Sequence, residues 1–520
     1  MDPLDGGSKE FFSQLVRLRY PPSPENFFAV TMATTPVDIK PEVKPIIHEG
    51  AFSAVALRDC FFDDFNETLD LVLLGGITVM ETRISAGWRI STANDKYALC
   101  STYPKRVVVP AMISDPDLVE LAKFHKKRRF PVVSWRSPMN KCVLMRAAVT
   151  KYPRGNVNQR SLVDEQFCDI LAESSPHERL VIVTEKEATG LMNDLLNRVS
   201  QKNLAFSYPS LSITLFDPSV GSFSLEEMAL RHAKFVSVFR TGLVRSLFSS
   251  PPFFFLPFFL SFFLSLLPLR RESHLEKFLE TLDENWFYAV SNILEIAVAT
   301  VDQIEQNTSV LVSLEDGWDR TTQVVALAQL MMDPFYRTVT GFQCLVEKEW
   351  LRFGHRFGQR LARTKADRQS EKPPVFLHFM DAVFQMTYQF PTEFEFNETF
   401  LVTLTNEVID GRFGNFFFDN EAERAESNLA ARTASLWAYL TERHLKTPDF
   451  YNFQYLAGSR RNRDDLADVQ RVLIPSFVPE GFVFWESFFC SGLLGSAPPR
   501  DAAINSYCKD VCLPPPPPPS

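Results

Sequence analysis

The chain lacks the positive charge of a general nucleic-acid binder: over 520 residues its formal net charge is -9, which repels a polyanion unless a basic patch is local. It also lacks a cysteine framework. The eight cysteines, at 60, 100, 142, 168, 344, 490, 508 and 512, show no short paired spacing apart from Cys508 and Cys512. Those two have no His or further Cys at metal-site distances, so no metal site is expected and the thiols read as reduced and cytosolic. A secretory leader is not expected either. Met1-Asp-Pro-Leu-Asp-Gly-Gly has neither a basic nor an apolar stretch, so secretion is not expected and the sequons at Asn66, Asn307 and Asn397 are read as accidental. No cofactor motif is present in this reading.

What remains is an ordinary folded composition, 45% hydrophobic and 22% charged, long enough to bury a large core. Its two excesses, 48 Phe and 35 Pro, gather in biased segments. Residues 1–45 carry scattered prolines and little periodicity, which predicts an extended or disordered lead-in. From Ser246 to Leu269 there is no charged residue, and the centre is Pro251-Pro-Phe-Phe-Phe-Leu-Pro-Phe-Phe-Leu. Its length would allow a membrane span, but prolines 251, 252, 257 and 268 break a helix, so an insertion into the domain is favoured over an anchor. Residues 487–520, ending in Pro514 to Pro519, are expected to form a disordered Pro-rich tail, with a polyproline ligand as the other reading.

Between these segments, β-rich runs alternate with helical periodicity. Arg106-Val-Val-Val-Pro, Phe130-Pro-Val-Val-Ser-Trp and Glu178-Arg-Leu-Val-Ile-Val-Thr-Glu read as strands, the last as a buried parallel one. Helices are predicted from Asp115, over 188–199 and over 275–301. The basic run Lys126-Lys-Arg-Arg129 has two readings, cations complementing a helix C-terminus or a surface facing anions and lipid headgroups. The aromatic stripe Phe376, Phe379, Phe384, Tyr388, Phe390, Phe394 and Phe396 reads as core.

The chemistry concentrates in Ser309-Val-Leu-Val-Ser-Leu-Glu-Asp-Gly-Trp-Asp-Arg-Thr-Thr322. An aliphatic strand breaks at a glycine and reopens as a helix through Met332. Backbone amides converging at a helix N-terminus, with an Arg at the loop's end, suit a phosphate. The loop nevertheless holds no nucleophile. Leu314 cannot supply a thiolate. Glu315 places a negative charge near an incoming phosphate, worth about 4 kcal/mol of repulsion at about 4 Å and an effective dielectric of about 20. Candidate phosphate contacts are Gly317, Trp318, Asp319 and Arg320. Arg320 either grips an anion bidentately or pairs with Glu315 or Asp319 and serves the fold. Trp318 either packs the loop or touches ligand, and Asp316 is a second carboxylate in the loop.

Four motifs in order, Asp316-Gly-Trp-Asp-Arg-Thr321, Asp333-Pro-Phe-Tyr-Arg-Thr338, Val346-Glu-Lys-Glu-Trp350 and Phe353-Gly-His-Arg-Phe357, closely resemble the myotubularin family of phosphoinositide 3-phosphatases. Trp88-Arg-Ile-Ser-Thr-Ala-Asn-Asp-Lys-Tyr97 and Arg129-Phe-Pro-Val-Val-Ser-Trp-Arg136 are similar to the catalytically inactive set-binding-factor branch. The resemblance spans about 46–486 with the insertion at 246–269. It implies an α/β fold with a cysteine-dependent protein-tyrosine-phosphatase-like central sheet flanked by helices. In active members the loop reads Cys, then five residues, then Arg; the Cys attacks phosphorus and is served by an Asp as general acid. Those positions here are Leu314 and Asp319.

The expectation is therefore a pseudophosphatase, not an enzyme, acting as adaptor or regulator of an active myotubularin. The resemblance places it in the cytoplasm, peripheral on endosomal membranes. Two alternatives stay open: a phosphoinositide-binding module using Arg320 at a membrane surface, or a residual hydrolase of phosphatidylinositol 3-phosphate.

Overall fold

The computed structural model describes residues 87–152, 160–185, 211–216, 228, 230, 286–363, 373–446, 448–456 and 472–489. The expected lead-in, the helix at 188–199, the Phe-rich insertion and the Pro-rich tail beyond 489 lie outside the described residues; the first residues of the expected tail, 487–489, are instead in a short helix, Glu486–Phe489, whose Phe488 and Phe489 pack against the core. Within them the fold is mixed α/β.

A five-stranded sheet occupies the middle, built from β3 (Val132–Arg136), β4 (Val143–Ala147), β5 (Leu180–Glu185), β6 (Leu211–Phe216) and β7 (Ser309–Ser313), in the spatial order β3-β4-β7-β5-β6. Only β3 runs antiparallel to its neighbour, while β4, β7, β5 and β6 are mutually parallel. A two-stranded antiparallel ribbon, β1 (Trp88–Ser91) and β2 (Val107–Pro110), lies beside it in sequence. The strand expected over 178–185 is thus the parallel strand that its unbroken apolar run demands, covered on both faces.

Period-two alternation divides the core into two layers. On β7, Val310 and Val312 face a cluster formed by helices α3 (Tyr288–Glu305) and α4 (Arg320–Met332), whereas Leu311 faces the opposite cluster. On that side lie α1 (Asp115–Phe124), with Leu118, Leu121 and Ala122, and α2 (Leu162–Glu173), with Phe167 and Leu171. The sheet is therefore sandwiched between helices. Helix α1 begins at Ser114, whose hydroxyl accepts from the Asp117 amide while the Asp117 carboxylate accepts from the Ser114 amide, a capping box that fixes the entry.

After α4 come a 3-10 turn at Pro334–Arg337, α5 (Val339–Leu345), a π-helical turn at Val346–Arg352, α6 (Val375–Gln389) and α7 (Glu398–Asp410). The aromatic stripe is core as expected at Phe376, Phe379, Phe384, Phe394 and Phe396. Phe390 is only partly buried against that core, and Tyr388 is 60% exposed, because it sits in the last turn of α6 on the face turned from the cluster. Among the described residues no helix is long and apolar enough to cross a membrane.

Candidate functional site

Strand β7 is central in the sheet, and its C-terminal end delivers residues 314–319 to the start of α4. In a parallel sheet that edge is where ligands bind. Side chains around the turn hold its shape. Thr321 Oγ1 accepts from the Leu314 amide at 3.1 Å and donates to the Leu314 carbonyl at 3.0 Å. The Gly317 amide donates to the same carbonyl at 2.9 Å. On the flank, the Val149 amide donates to the Glu315 carbonyl at 3.0 Å, tying the loop to the chain that leaves β4.

Two residues of the turn are left-handed, Glu315 with φ 45° and Gly317 with φ 80°. At Gly317 only glycine fits: a Cβ would lie 2.8 Å from the Ala147 carbonyl oxygen. Glu315 carries a side chain in this region, a strain of about 1–3 kcal/mol that surrounding bonds must hold.

Beneath the turn two buried guanidiniums converge on one oxygen. Arg129 Nη2 and Arg146 Nη2 each donate to the Gly317 carbonyl at 2.8 Å. With that carbonyl drawn inward, the amides of Asp316, Trp318 and Asp319 donate to no acceptor among the described residues. Unpaired amides at a helix N-terminus form an anion-binding nest.

Both arginines are held in turn. Arg129 Nη1 donates to Thr102 Oγ1 at 2.8 Å. Arg146 Nη1 pairs with Glu349 Oε2 at 2.7 Å, both side chains fully buried, and burial pulls its pKa down to about 10, still protonated at neutral pH. Glu349 also accepts from Gln329 Nε2 at 2.9 Å. Lys348 Nζ reaches Gln329 Oε1 at 2.7 Å and the Tyr336 hydroxyl at 2.6 Å. The motifs around 333–338 and 346–350 thus form one buried polar network ending under Gly317.

Each predicted site residue has a definite place. Leu314 is 1% exposed and packs in the core with the aliphatic residues of α3 and α4. Asp316 is partly exposed, 3.9 Å from Lys127 Nζ. Trp318 is buried, and three cations approach its ring: Arg356 at 5.2 Å, Arg129 at 5.6 Å and Lys127 at 5.8 Å. It packs the loop, one of the two roles expected of it.

Asp319 precedes α4 but does not cap it with its side chain. Its carboxylate receives His355 Nδ1 at 3.1 Å and Arg360 Nη2 at 2.6 Å. Burial alone would raise its pKa, but the hydrogen bond from His355 and the charge of Arg360 outweigh it and hold it at about 2. Arg320 is buried, with Nη2 donating to Asn292 Oδ1 at 3.1 Å. Asp319 and Arg320 are brought side by side without Asp319 being left for Arg320 alone.

The neighbouring hydroxyls are committed to the backbone. Ser313 Oγ donates to the Ala148 carbonyl at 3.0 Å and Thr322 Oγ1 to the Trp318 carbonyl at 3.1 Å. Residues reach the loop that sequence reasoning had not assigned to it, among them Lys127, Arg129, Arg146, His355, Arg356 and Arg360. His355 lay inside a quoted motif, and Lys127 inside the basic run. Arg146 and Arg360 had no local signal, since a partner 171 positions away in the chain leaves no trace in spacing.

The chain matches the family model described as Myotubularin-like phosphatase domain over residues 63–425. It is 33% identical over 378 residues to a protein named Myotubularin from Rattus norvegicus, covering 72% of this chain and 56% of the relative. A Mus musculus protein named Phosphatidylinositol-3,5-bisphosphate 3-phosphatase MTMR2 is 34% identical over 378 residues, covering 72% and 52%. Myotubularin from Xenopus laevis is 31% identical over 369 residues, covering 70% and 55%. The chain spans about half the length of these curated relatives. By this match and by the four ordered motifs built around its loop, the chain belongs to the myotubularin-like phosphatase domain family.

Proposed function

We propose that the chain is a catalytically inactive member of this family, a pseudophosphatase on a protein-tyrosine-phosphatase-like frame that acts as adaptor or regulator of an active phosphoinositide 3-phosphatase. The observation that carries this reading is Leu314, an aliphatic side chain 1% exposed, at the position where the resemblance to active members puts the nucleophilic Cys. Covalent phosphoryl transfer needs an activated nucleophile, and Ser313, Thr321 and Thr322 spend their hydroxyl protons on carbonyls. Asp319, held at about 2, carries no proton to give near neutral pH.

The test has two arms. The full chain is incubated with phosphatidylinositol 3-phosphate and with the 3,5-bisphosphate beside a Leu314→Lys control, and released phosphate is measured. No release above the control is expected, and turnover would overturn the reading in favour of a residual hydrolase. Co-purification from cells should recover an active myotubularin on cytoplasmic, endosomal membranes. Recovery of lipid without any phosphatase would overturn the adaptor role.

A second reading has its own support. Three unpaired loop amides and Arg320 suit a bound phosphate, which favours a phosphoinositide-binding module that has kept the cradle. Binding to vesicles containing phosphatidylinositol 3-phosphate should then fall on Arg320→Ala. Unchanged binding in that variant would remove the module reading.

A further inference from the structure

Beside the loop, the chain reverses direction in a way that separates one basic run into two functions. Lys126, Lys127 and Arg128 are exposed, whereas Arg129, the next residue, is fully buried under Gly317. The switch is made by two consecutive non-glycine residues in the left-handed region, Lys127 at φ 52° and Arg128 at φ 59°. Turn bonds hold them, with the Arg128 amide donating to the His125 carbonyl at 3.3 Å and the Arg129 amide to Lys126 at 3.0 Å. This conformation is disfavoured for side chains of this kind, and here it throws three cations outward together.

Two more cations join them from either side. The segment after β4 pairs with the end of α1 through His125 and Thr150. The Lys151 amide donates to the Phe124 carbonyl and Lys151 Nζ to the Lys123 carbonyl. The exposed cations Lys123, Lys126, Lys127 and Arg128 at the end of α1 are thus joined by the exposed Lys151, with Tyr152, 41% exposed, next to it. Lys123 is answered by Glu120 and Lys127 by Asp316. Among the described residues, Lys126, Arg128 and Lys151 face no carboxylate.

Complementing the α1 dipole does not explain this face. Lys123 already occupies the last turn of α1, and the dipole's influence fades within a turn. In a chain of net charge -9, an uncompensated basic face is a local departure from the overall sign, which is how a protein is drawn to an anionic surface. We propose that the turn 126–128, with Lys123 and Lys151, is a contact surface for the anionic headgroups of a lipid bilayer. Lys127 joins that surface to the loop through Asp316, so docking would present the mouth of the loop to the membrane. The proposal stands whether or not the loop turns over substrate.

The experiment is sedimentation of the full chain with vesicles of phosphatidylcholine alone or with about 30 mol% phosphatidylserine, comparing wild type with Lys126→Glu/Arg128→Glu. Both substituted side chains are exposed, and an unchanged melting curve confirms that the variant is folded. Wild type should bind only the phosphatidylserine vesicles, less so as salt rises from about 50 to about 300 mM. The charge reversal should weaken that binding by about tenfold or more.

Equal binding by wild type and variant, or no binding to phosphatidylserine, would overturn the proposal. A third arm uses phosphatidylcholine with a trace of phosphatidylinositol 3-phosphate and the Arg320→Ala variant. If the charge reversal weakened binding only in this arm, the turn would serve a headgroup in the loop and the bilayer proposal would fail. Phosphate release is scored separately, so failure here is distinct from failure of the pseudophosphatase reading.

Discussion

Arg360 Nη2 stands 2.6 Å from Asp319 Oδ2 while His355 Nδ1 stands 3.1 Å from Oδ1, so the carboxylate that precedes α4 is turned sideways into a buried charge network. The same His355 nitrogen lies 2.9 Å from the Trp318 carbonyl. Facing a carboxylate and a carbonyl, that nitrogen must carry its proton. Asp319 therefore locks the outer wall of the loop.

Replacing Asp319 by Asn removes the buried carboxylate that pairs with Arg360, at an expected cost of about 3–5 kcal/mol in denaturant unfolding at pH 7. The folded carboxylate titrates at about 2 against an ordinary 3.8, so its contribution is complete above 3.8 and fades as pH falls through about 2. The stability gap between wild type and Asp319→Asn should narrow in that acidic window. A gap that stays constant there would show that Asp319 is held by packing instead of charge.

Gly317→Ala should be more damaging than its size suggests. The new methyl would press within 2.8 Å of the Ala147 carbonyl oxygen, at a backbone φ of 80°. Left-handed strain of about 1–3 kcal/mol adds to that clash. Relief requires the turn to move, which would break the bonds from Arg129 and Arg146. The expected result is a lowered unfolding midpoint together with loss of any phosphate-analogue binding, read by calorimetry on the folded variant.

Much of this architecture was legible in the sequence because its signals are local. The aliphatic run from Ser309 that breaks at a glycine, followed by a helical period through Met332, gave strand, loop and helix in the observed order. The parallel character of β5 followed from its unbroken apolar run. Strand β4 was not read, although it neighbours β7, because its five residues include Arg146, and a charge in a short apolar stretch argues against a buried strand until its partner is known. That partner, Glu349, lies 203 positions away. The loop's support was invisible for the same reason: Arg129, Arg146 and Glu349 meet only through tertiary packing, and spacing carries no record of it. Tyr388 failed in the opposite direction, since a helical stripe of aromatics does not show where the core stops.

Leu314 and Glu315 can be tested as replacements for a thiol site. In Leu314→Cys/Glu315→Ser, the new thiol would stand at the end of β7, at the foot of the loop that leads to Arg320 and the start of α4. Such surroundings favour the thiolate, so alkylation by iodoacetamide should follow an apparent pKa below the free value of about 8.5. An apparent pKa at or above that value would show that the cradle is not electropositive. The same exchange removes buried aliphatic volume from the core around α3 and α4, and a loss of about 1–3 kcal/mol of stability is expected.

On α6, Asp381 is fully buried, and among the described residues no cation pairs with it. Trp286 Nε1 donates to Oδ2 at 2.5 Å and Gln385 Nε2 to Oδ1 at 2.8 Å, and the His378 ring lies tilted by 54° against the Trp286 ring with centroids 4.4 Å apart. Burial raises the carboxyl pKa to about 6, and the two neutral donors offset only part of that. Because the folded value lies above the ordinary 3.8, the folded state binds the extra proton between about 4 and 6. Stability from this group is therefore full at the acid end and falls as pH rises through 6, by roughly 3 kcal/mol if no other group compensates. Asp381→Asn cannot ionise and should remove that slope. Denaturant midpoints collected between pH 4.5 and 7 check it: parallel curves for wild type and variant would mean that Asp381 is already charged in the folded protein, its burial balanced by the bonds from Trp286 and Gln385.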